Sequence, residues 1–497
     1  MARLKFYLIA IWVCAIFYAP LAYHVCILNN PEQLVVDFLH RSISGRFGTH
    51  LTEKQMAIVW AVIVSLYTVG QFFGCLCAPY FADKFGRKKT LVYLCSSISM
   101  VGGLMCYVCR PLHSIILMAL GRFVTGLRAG IACTVSSTYI IESCPVAVRG
   151  AVGSVLDFSA CIGVTLALLF SMPFLLGTES AWHYLISVDV LLAIGGLILA
   201  PLLHDSPHFL LLVRNRRDSA LAAVKFSHDH SFDAEKLLDT ILQEDQDHKQ
   251  EKKRRNSGVG PTSNAQSTKS LLLLCSVIGL LPACVSYQGL GAYTTPILHH
   301  AGMDHFKAQL YSLVMGFFEL FCGAMSLYVN HKVPRRYVIL SCSTVMILGN
   351  LALCCCLVAG MELQIPLLVE ASGSIFFILA ALCVVGVFPL CPILPSELAP
   401  TSLRARASSV TMSAFSLGDI STKLFLWPAF LYFGGYIFLA FAVAASVCVL
   451  YLWRNLRETH PDYQLKLKLK PVSLTDMEQS EKAENDLNQL QYQQNLH

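Results

Sequence analysis

The chain has 497 residues, of which 55% are hydrophobic and 14% are charged. A soluble domain carries about 25% charged residues, so the composition excludes an ordinary soluble protein and a disordered one. A formal charge of +6 is too thin over this length to argue for nucleic-acid binding, and the cytoplasmic loops of a multispanning membrane protein carry such an excess.

A hydrocarbon core about 30 Å thick needs about 20 apolar residues per helix. Twelve such stretches occur, near 6–28, 55–80, 90–109, 114–137, 151–172, 182–203, 270–297, 309–329, 336–358, 368–393, 408–432 and 434–454. The first is too long for a signal peptide, and no small-residue cleavage site follows it. The 20 cysteines fall mostly inside these stretches and read as soft packing residues, not a disulfide or metal framework.

Lys and Arg set the orientation. Basic turns follow span two (Lys84, Arg87, Lys88, Lys89), span eight (Lys332, Arg335, Arg336) and span ten (Arg404, Arg406). The loops after spans five, nine and eleven have no Lys or Arg, so the basic turns and both termini face the cytoplasm. The expected units are 1–203, a six-helix bundle with an external loop at 29–54; 204–269, a cytoplasmic linker; 270–454, a second six-helix bundle; and 455–497, a polar cytoplasmic tail. Within the linker, His204 to Lys225 reads as helical and amphipathic, and 245–268 as polar and loose.

The two halves repeat a signal. Glu142, Pro145 and Arg149 follow span four, and Glu397, Pro400 and Arg404 follow span ten at the same spacing. The basic turns Asp83-Lys-Phe-Gly-Arg-Lys-Lys89 and His331-Lys-Val-Pro-Arg-Arg336 occupy matching places. A six-plus-six repeat with a cytoplasmic linker is an arrangement of secondary transporters. Such acids and bases at cytoplasmic helix ends are expected to pair across the halves and gate the inner mouth. The gating candidates are Asp83, Arg87, Arg122, Glu142, Arg149, Arg335, Arg336, Glu397 and Arg404. Gly86 permits the tight turn between spans two and three.

With these motifs the chain resembles the major facilitator superfamily, and within it the sugar porter family of facilitative glucose transporters. Asn29-Asn-Pro31, Gly121-Arg-Phe123, Asp205-Ser-Pro-His-Phe-Leu-Leu211, Pro334-Arg-Arg336 and Arg457-Glu-Thr459 carry the likeness further. It implies an all-α membrane protein of two six-helix bundles, with alternating access to one central site.

Measured against that family, the substrate positions diverge. The resemblance places Pro282-Ala-Cys-Val-Ser286 where sugar porters have Gln-Gln-Leu-Ser-Gly, and Phe388-Pro-Leu-Cys-Pro392 where they have G-P-x-P-W. It places Asp157, Gln288, Glu319 and Asp419 on amide positions that contact sugar or lie near it, and Tyr293, Thr294 and Thr295 on aromatic and hydroxyl positions. These seven are the substrate-binding candidates. Three amides have become carboxylates, which only accept hydrogen bonds when ionised, and a charge inside the membrane is usually functional. Asp419 and Lys423 stand four apart, a good spacing for an ion pair. His24, Asp157 and Glu319 are candidates for proton coupling, while Asp189 reads as structural or interfacial.

The reading that follows is a transporter of a small polar solute, a hexose or related sugar, in the plasma membrane. A proton-coupled carrier, or a carrier of a cationic or zwitterionic solute, is one alternative. A non-transporting sensor on the same scaffold is another. No Gly-Lys dipeptide occurs, so no Walker A loop can form, and the reading calls for no enzyme activity, cofactor, metal or nucleic acid. The partners expected are the solute and the lipid bilayer.

Overall fold

The computed structural model describes residues 10–48, 51–143, 149–198, 200–201, 203–227, 234–243, 246, 265–399 and 403–459. Among these, every regular element is helical. Eight helices are long and apolar enough to cross a membrane. One of them, Arg406–Asn455, holds two crossings, because Gly434 turns the chain at φ +55°. Three shorter apolar helices, Ala10–Cys26, Val155–Phe170 and Asp189–Ile198, complete the expected set.

Span one is Ala10–Cys26, span two Glu53–Phe85, span three Arg87–Val108, span four Ile115–Ser143 and span five Arg149–Phe170. Span six is Asp189–Ile198, led in by the short helix Trp182–Ile186. Span seven comes in two pieces, Ala265–Cys284 and Tyr287–His300. Span eight is His305–Lys332 and span nine Arg335–Glu362. Span ten runs from Pro366 to Leu398 through a π-helical turn at Cys383–Val387. Spans eleven and twelve are Arg404–Phe433 and Ile437–Asn455.

Lipid tails give apolar helices no reason to prefer each other, so close backbone approach holds the bundles together. Spans two and four show this best. A Cβ on Gly126 would lie 2.0 Å from the Tyr67 carbonyl oxygen, and one on Gly70 would lie 2.1 Å from that of Phe123. Between the halves, span two packs on span eleven and span five on span eight. A six-helix repeat requires those contacts to come as a pair, because adding six to each member of one gives the other.

Residues 29–54 were expected to be a loop, and the structure corrects this with a helix at Glu32–Phe47. Val35, Phe38, Leu39 and Ile43 fall on one buried face, the helical spacing. Phe38 meets the Trp182 ring at 5.2 Å between centroids. Glu32 complements the positive helix start, and Gly48 closes the end at φ +63°.

On the cytoplasmic side Gly86 adopts φ +97°, and a Cβ there would sit 2.3 Å from Asp205 Oδ2. Asp205 Oδ1 accepts the backbone N–H groups of Lys88 at 3.1 Å and Ser206 at 3.0 Å. Burial holds this carboxyl above the usual carboxylate range, against the pull of those donors. The linker continues through a π-helical turn at Phe209–Val213 and a helix at Arg217–Ser227. Ala220 and Val224 pack there on Leu238 and Ile241 of 234–243. Most of the stretch expected to be loose lies outside the described residues, and helix resumes at Ala265. Of the polar tail, 460–497 lies outside them too.

Backbone cannot move aside for a side chain at Gly126. Gly126→Leu is therefore expected to cost at least about 1–3 kcal/mol by overpacking and to lower the apparent melting temperature of the purified protein. A Cβ on Gly45 meets nothing within 4 Å, so Gly45→Ala should melt no lower than the parent.

Candidate functional site

Span seven breaks where the family-like signature was expected. Ser286 takes a left-handed conformation, φ +67°, between the two pieces. Its hydroxyl donates to Asn350 Oδ1 of span nine at 2.8 Å, and Asn350 Nδ2 returns a bond to the Val285 carbonyl at 3.3 Å. One buried amide thus satisfies polar groups that a continuous helix would have paired itself. The break sets the first turn of Tyr287–His300 against the space between the halves.

That space is a cavity with about 90 Å³ open to the centres of water-sized molecules. One water needs about 10–15 Å³ on this measure, so the cavity has room for several waters or a small solute. Span one (Val25, Cys26), span two (Gln71) and span five (Cys161, Val164) line it from the first half. Tyr287, Gln288, Glu319, Phe388, Phe415 and Asp419 line it from the second. Gln71, Glu319 and Asp419 each lie near the middle of their helices, which puts the cavity near the bilayer midplane.

Of the seven substrate-binding candidates, the structure brings Gln288, Glu319 and Asp419 to this cavity. Asp157 lines a smaller space of about 20 Å³ that shares Cys161, Val384 and Phe388 with it. Tyr293, Thr294 and Thr295 are a correction, since they line neither. They sit one to two turns outward of Gln288, where the halves touch, and their polar groups are used up. Tyr293 donates to the Lys423 carbonyl at 2.6 Å and stacks on Trp427, and Thr294 donates to the Leu290 carbonyl at 2.6 Å.

Thr295 belongs to a seal on the external side. Its N–H donates to Asn29 Oδ1 at 2.9 Å and its hydroxyl to Asn30 Oδ1 at 2.8 Å. Gln309 Nε2 donates to the Asn30 carbonyl at 2.8 Å. Asn30 Nδ2 is anchored in its own half by the Leu168 carbonyl and Ser171 Oγ, both at 3.0 Å. Thr165 donates to the Gly316 carbonyl at 2.8 Å, and Lys423 Nζ to Thr68 Oγ1 at 2.9 Å. These polar contacts cross between the halves at or beyond the midplane, on the external side.

The cytoplasmic charges pair within their own halves in this state, where the pairs expected to close the inner mouth are not formed. Arg87 pairs with Glu142 at 2.9 Å and Asp83 at 3.3 Å, all in the first half. Arg335 pairs with Glu397, both in the second. The N–H groups of Arg335 and Arg336 donate to Glu458 at 3.0 and 3.1 Å, and Arg336 Nη2 donates to the Trp453 carbonyl. Each base finds an acid at a helix end of its own bundle, so none of these pairs joins the halves. The side chains of Arg149 and Arg404 lie outside the described residues. Arg122 is not at the cytoplasmic face at all. It is buried in the external half of span four, over the Tyr67 ring at 4.8 Å, and donates to the His24 carbonyl at 3.1 Å.

His24 is absent from the cavity lining. Its Nε2 lies 2.8 Å from Asp189 Oδ2, and Asp189 Oδ1 lies 3.8 Å from Arg128 Nη1, all three side chains being about 1% exposed. Asp189 is therefore a core residue of the first half, not an interfacial one. Asp419 makes its i,i+4 pair with Lys423 at 2.8 Å. Sequence reasoning missed Gln71, although it is the one amide in the long apolar middle of span two. Among the described residues, no group of His, Cys, Asp and Glu is arranged to hold a metal ion.

A family model described as "Sugar (and other) transporter" matches residues 12–463. The chain is 24% identical over 452 residues to solute carrier family 2, facilitated glucose transporter member 7 of Mus musculus, covering 88% of this chain and 84% of the relative. It is 24% identical over 442 residues to member 3 of Homo sapiens, covering 87% and 85%. Among solved structures, it is similar to the major facilitator superfamily proton:xylose symporter XylE bound to 6-bromo-6-deoxy-D-glucose. That match has a TM-score of 0.70 at 17% identity and covers 91% of this chain and 96% of the other.

The Thr295 hydroxyl also lies 2.7 Å from Ser312 Oγ, so Thr295→Val leaves the buried Asn30 Oδ1 acceptor and the Ser312 hydroxyl without this partner, at a cost of about 1–3 kcal/mol. Because the seal exists in one state only, that cost shifts the population toward external opening. Cys26 lines the cavity and is otherwise shielded. Its alkylation by a membrane-impermeant maleimide added outside, read by mass spectrometry of the Cys26 peptide, should accelerate by fivefold or more.

Proposed function

The chain belongs to the sugar transporter family whose model it matches, and from that premise we propose that it carries a small hydroxyl-rich solute across a membrane by alternating access between its two halves. The observation that carries this reading is the asymmetry around the midplane cavity. Cross-half hydrogen bonds close its external side, while the cytoplasmic ion pairs stay inside their own halves. This is the pattern of a carrier resting with its site toward the cytoplasm. Cycling outward requires the Asn29, Asn30 and Thr295 bonds to break and the cytoplasmic helix ends to meet. We place both termini in the cytoplasm, on the basic turns after spans two, eight and ten, and the chain in the plasma membrane, the default for its family.

The solute class rests on the family and on the lining. Gln71 and Gln288 offer amides from opposite halves, and Tyr287, Phe388 and Phe415 offer ring faces for the C–H surface of a sugar. The named relatives are glucose transporters and the solved neighbour is a xylose symporter, so hexoses and pentoses are the first solutes to try.

A second reading, proton coupling, is favoured by the His24–Asp189–Arg128 cluster. A histidine 2.8 Å from a buried carboxylate changes the charge of the first half when it binds a proton. Arg128 and Arg122 are the cations that face this group.

Labelled hexose uptake, measured in cells lacking their own hexose carriers at acidic and neutral pH, tests both readings. Saturable uptake equal at both pH values fits a facilitator. Uptake that rises in acid in the parent and loses that rise in His24→Leu fits coupling through the cluster. Binding without uptake by a surface-exposed protein overturns transport in favour of a sensor.

Charge reversal at Glu397 leaves two unlike networks where there were two equivalent ones. The Arg335 and Glu397 side chains are only partly buried, at 16% and 27% exposure, so about 1–2 kcal/mol is at stake. Glu397→Arg should lower the maximal uptake rate three- to tenfold with solute binding retained. The Arg335→Glu/Glu397→Arg double variant should recover part of it.

A further inference from the structure

The central cavity holds one more carboxyl group than its own cations pair with. Lys423 is its neighbouring cation, and Lys423 is spent. Its Nζ lies 2.8 Å from Asp419 Oδ2 and donates to Thr68 Oγ1 at 2.9 Å. Glu319 has no such partner. The residue is 2% exposed, it faces the cavity, and its Oε2 has no hydrogen-bond partner. Among the described residues, no ion pair reaches it. Arg122 and Arg128 are buried in the first half on other partners.

The rest of the polar lining points the same way. Gln71 Oε1 and Gln288 Oε1 are buried, unpartnered acceptors, one from each half. Gln288 Nε2 is committed to the Phe415 carbonyl at 3.2 Å. A ligand that donates satisfies these acceptors. A neutral polyol supplies donors to the amides but leaves the Glu319 charge uncompensated near the midplane, which is costly. A carboxylated solute adds a second like charge. A protonated primary amine brings one positive charge and three donors, and the rings of Tyr287, Phe388 and Phe415 present faces that also favour a cation.

We infer that the solute is a hydroxyl-rich molecule bearing a protonated amine, of the hexosamine class, with its ammonium group on Glu319 and hydroxyls on Gln71 and Gln288. This rests on the reading of the cavity as the transport site.

The test compares labelled glucosamine with labelled 2-deoxyglucose at neutral pH, at equal concentration, in cells lacking their own hexose carriers and expressing the full chain. Glucosamine uptake should exceed 2-deoxyglucose uptake tenfold or more. In Glu319→Gln, matched for surface expression, the ratio should fall below about twofold, and in Glu319→Asp, which keeps the charge, it should stay high. Equal uptake of the two solutes by the parent, or an unchanged ratio in Glu319→Gln, overturns the amine assignment while sugar transport stands. A proton on Glu319 as the balancing charge gives this first result, together with uptake that depends on pH through Glu319. If Glu319→Gln fails to reach the surface, competition on the parent decides. Unlabelled glucosamine should then inhibit labelled glucosamine uptake at a tenfold lower concentration than 2-deoxyglucose does, and equal inhibition overturns the assignment. No uptake and no thermal stabilisation of the purified protein by either solute overturns the transport reading and the amine assignment together.

Discussion

A charge inside hydrocarbon keeps its full field, because no water is there to screen it. Every ionised side chain that this chain places between its helices must find a partner there. Most of them do, and the partners explain the architecture. Arg122 lies over Tyr67 and bonds the His24 carbonyl. Arg128 bonds the Ile16 carbonyl at 2.7 Å and faces Asp189. These contacts tie spans one, two, four and six into one body without help from the hydrophobic effect, which cannot discriminate between helix and lipid. Lys423 does the corresponding work between the bodies, holding Asp419 in its own helix while it reaches Thr68 across the interface.

The repeat governs where polar contacts fall. Arg87 with Glu142 and Arg335 with Glu397 are the same pair built twice. The turn after each basic helix start is also held the same way. Asp205, just past span six, accepts the N–H of Lys88, and Glu458, just past span twelve, accepts those of Arg335 and Arg336. Among the described residues, each half therefore pairs its cytoplasmic rim charges within itself. Rims paired in this way can separate without breaking those ion pairs. The external seal has no such independence. Asn29 and Asn30 sit in one half, while Thr295 and Gln309, which bond them, sit in the other.

Hydropathy and the spacing of Glu142, Arg149, Glu397 and Arg404 made the twelve crossings and the repeat legible, because the bilayer imposes length on every helix and the repeat imposes equivalence. The external helix Glu32–Phe47 was less so. Its buried face of Val35, Phe38, Leu39 and Ile43 has helical spacing, but it is too short and polar to register as a crossing. The site was half legible. Glu319 and Asp419 stood out because carboxylates are rare at mid-span. Thr295 was misplaced because one helix face serves the cavity at Gln288 and the seal two turns later, and which turn meets which half is a property of the packing. The partners that the gating charges take in this state were not legible for a related reason. Acid and base at helix ends announce a pair, but partner choice depends on which ends stand together in a given state.

Glu319 is where these constraints leave a remainder. Among the described residues, Arg122 and Arg128 are held in the core of the first half, Arg87 and Arg335 pair at the two cytoplasmic rims, and Lys423 pairs with Asp419. A mid-span carboxylate without a partner is a poor structural element, since removing the charge would relieve the bundle of a cost it otherwise bears. Its place at the wall of a cavity that both halves line makes sense if the balancing charge comes and goes with the solute. A cavity that is electrically incomplete when empty binds most firmly what completes it. Closing both halves around that solute also gives the Glu319 carboxylate a partner, which couples occupancy to the conformational step.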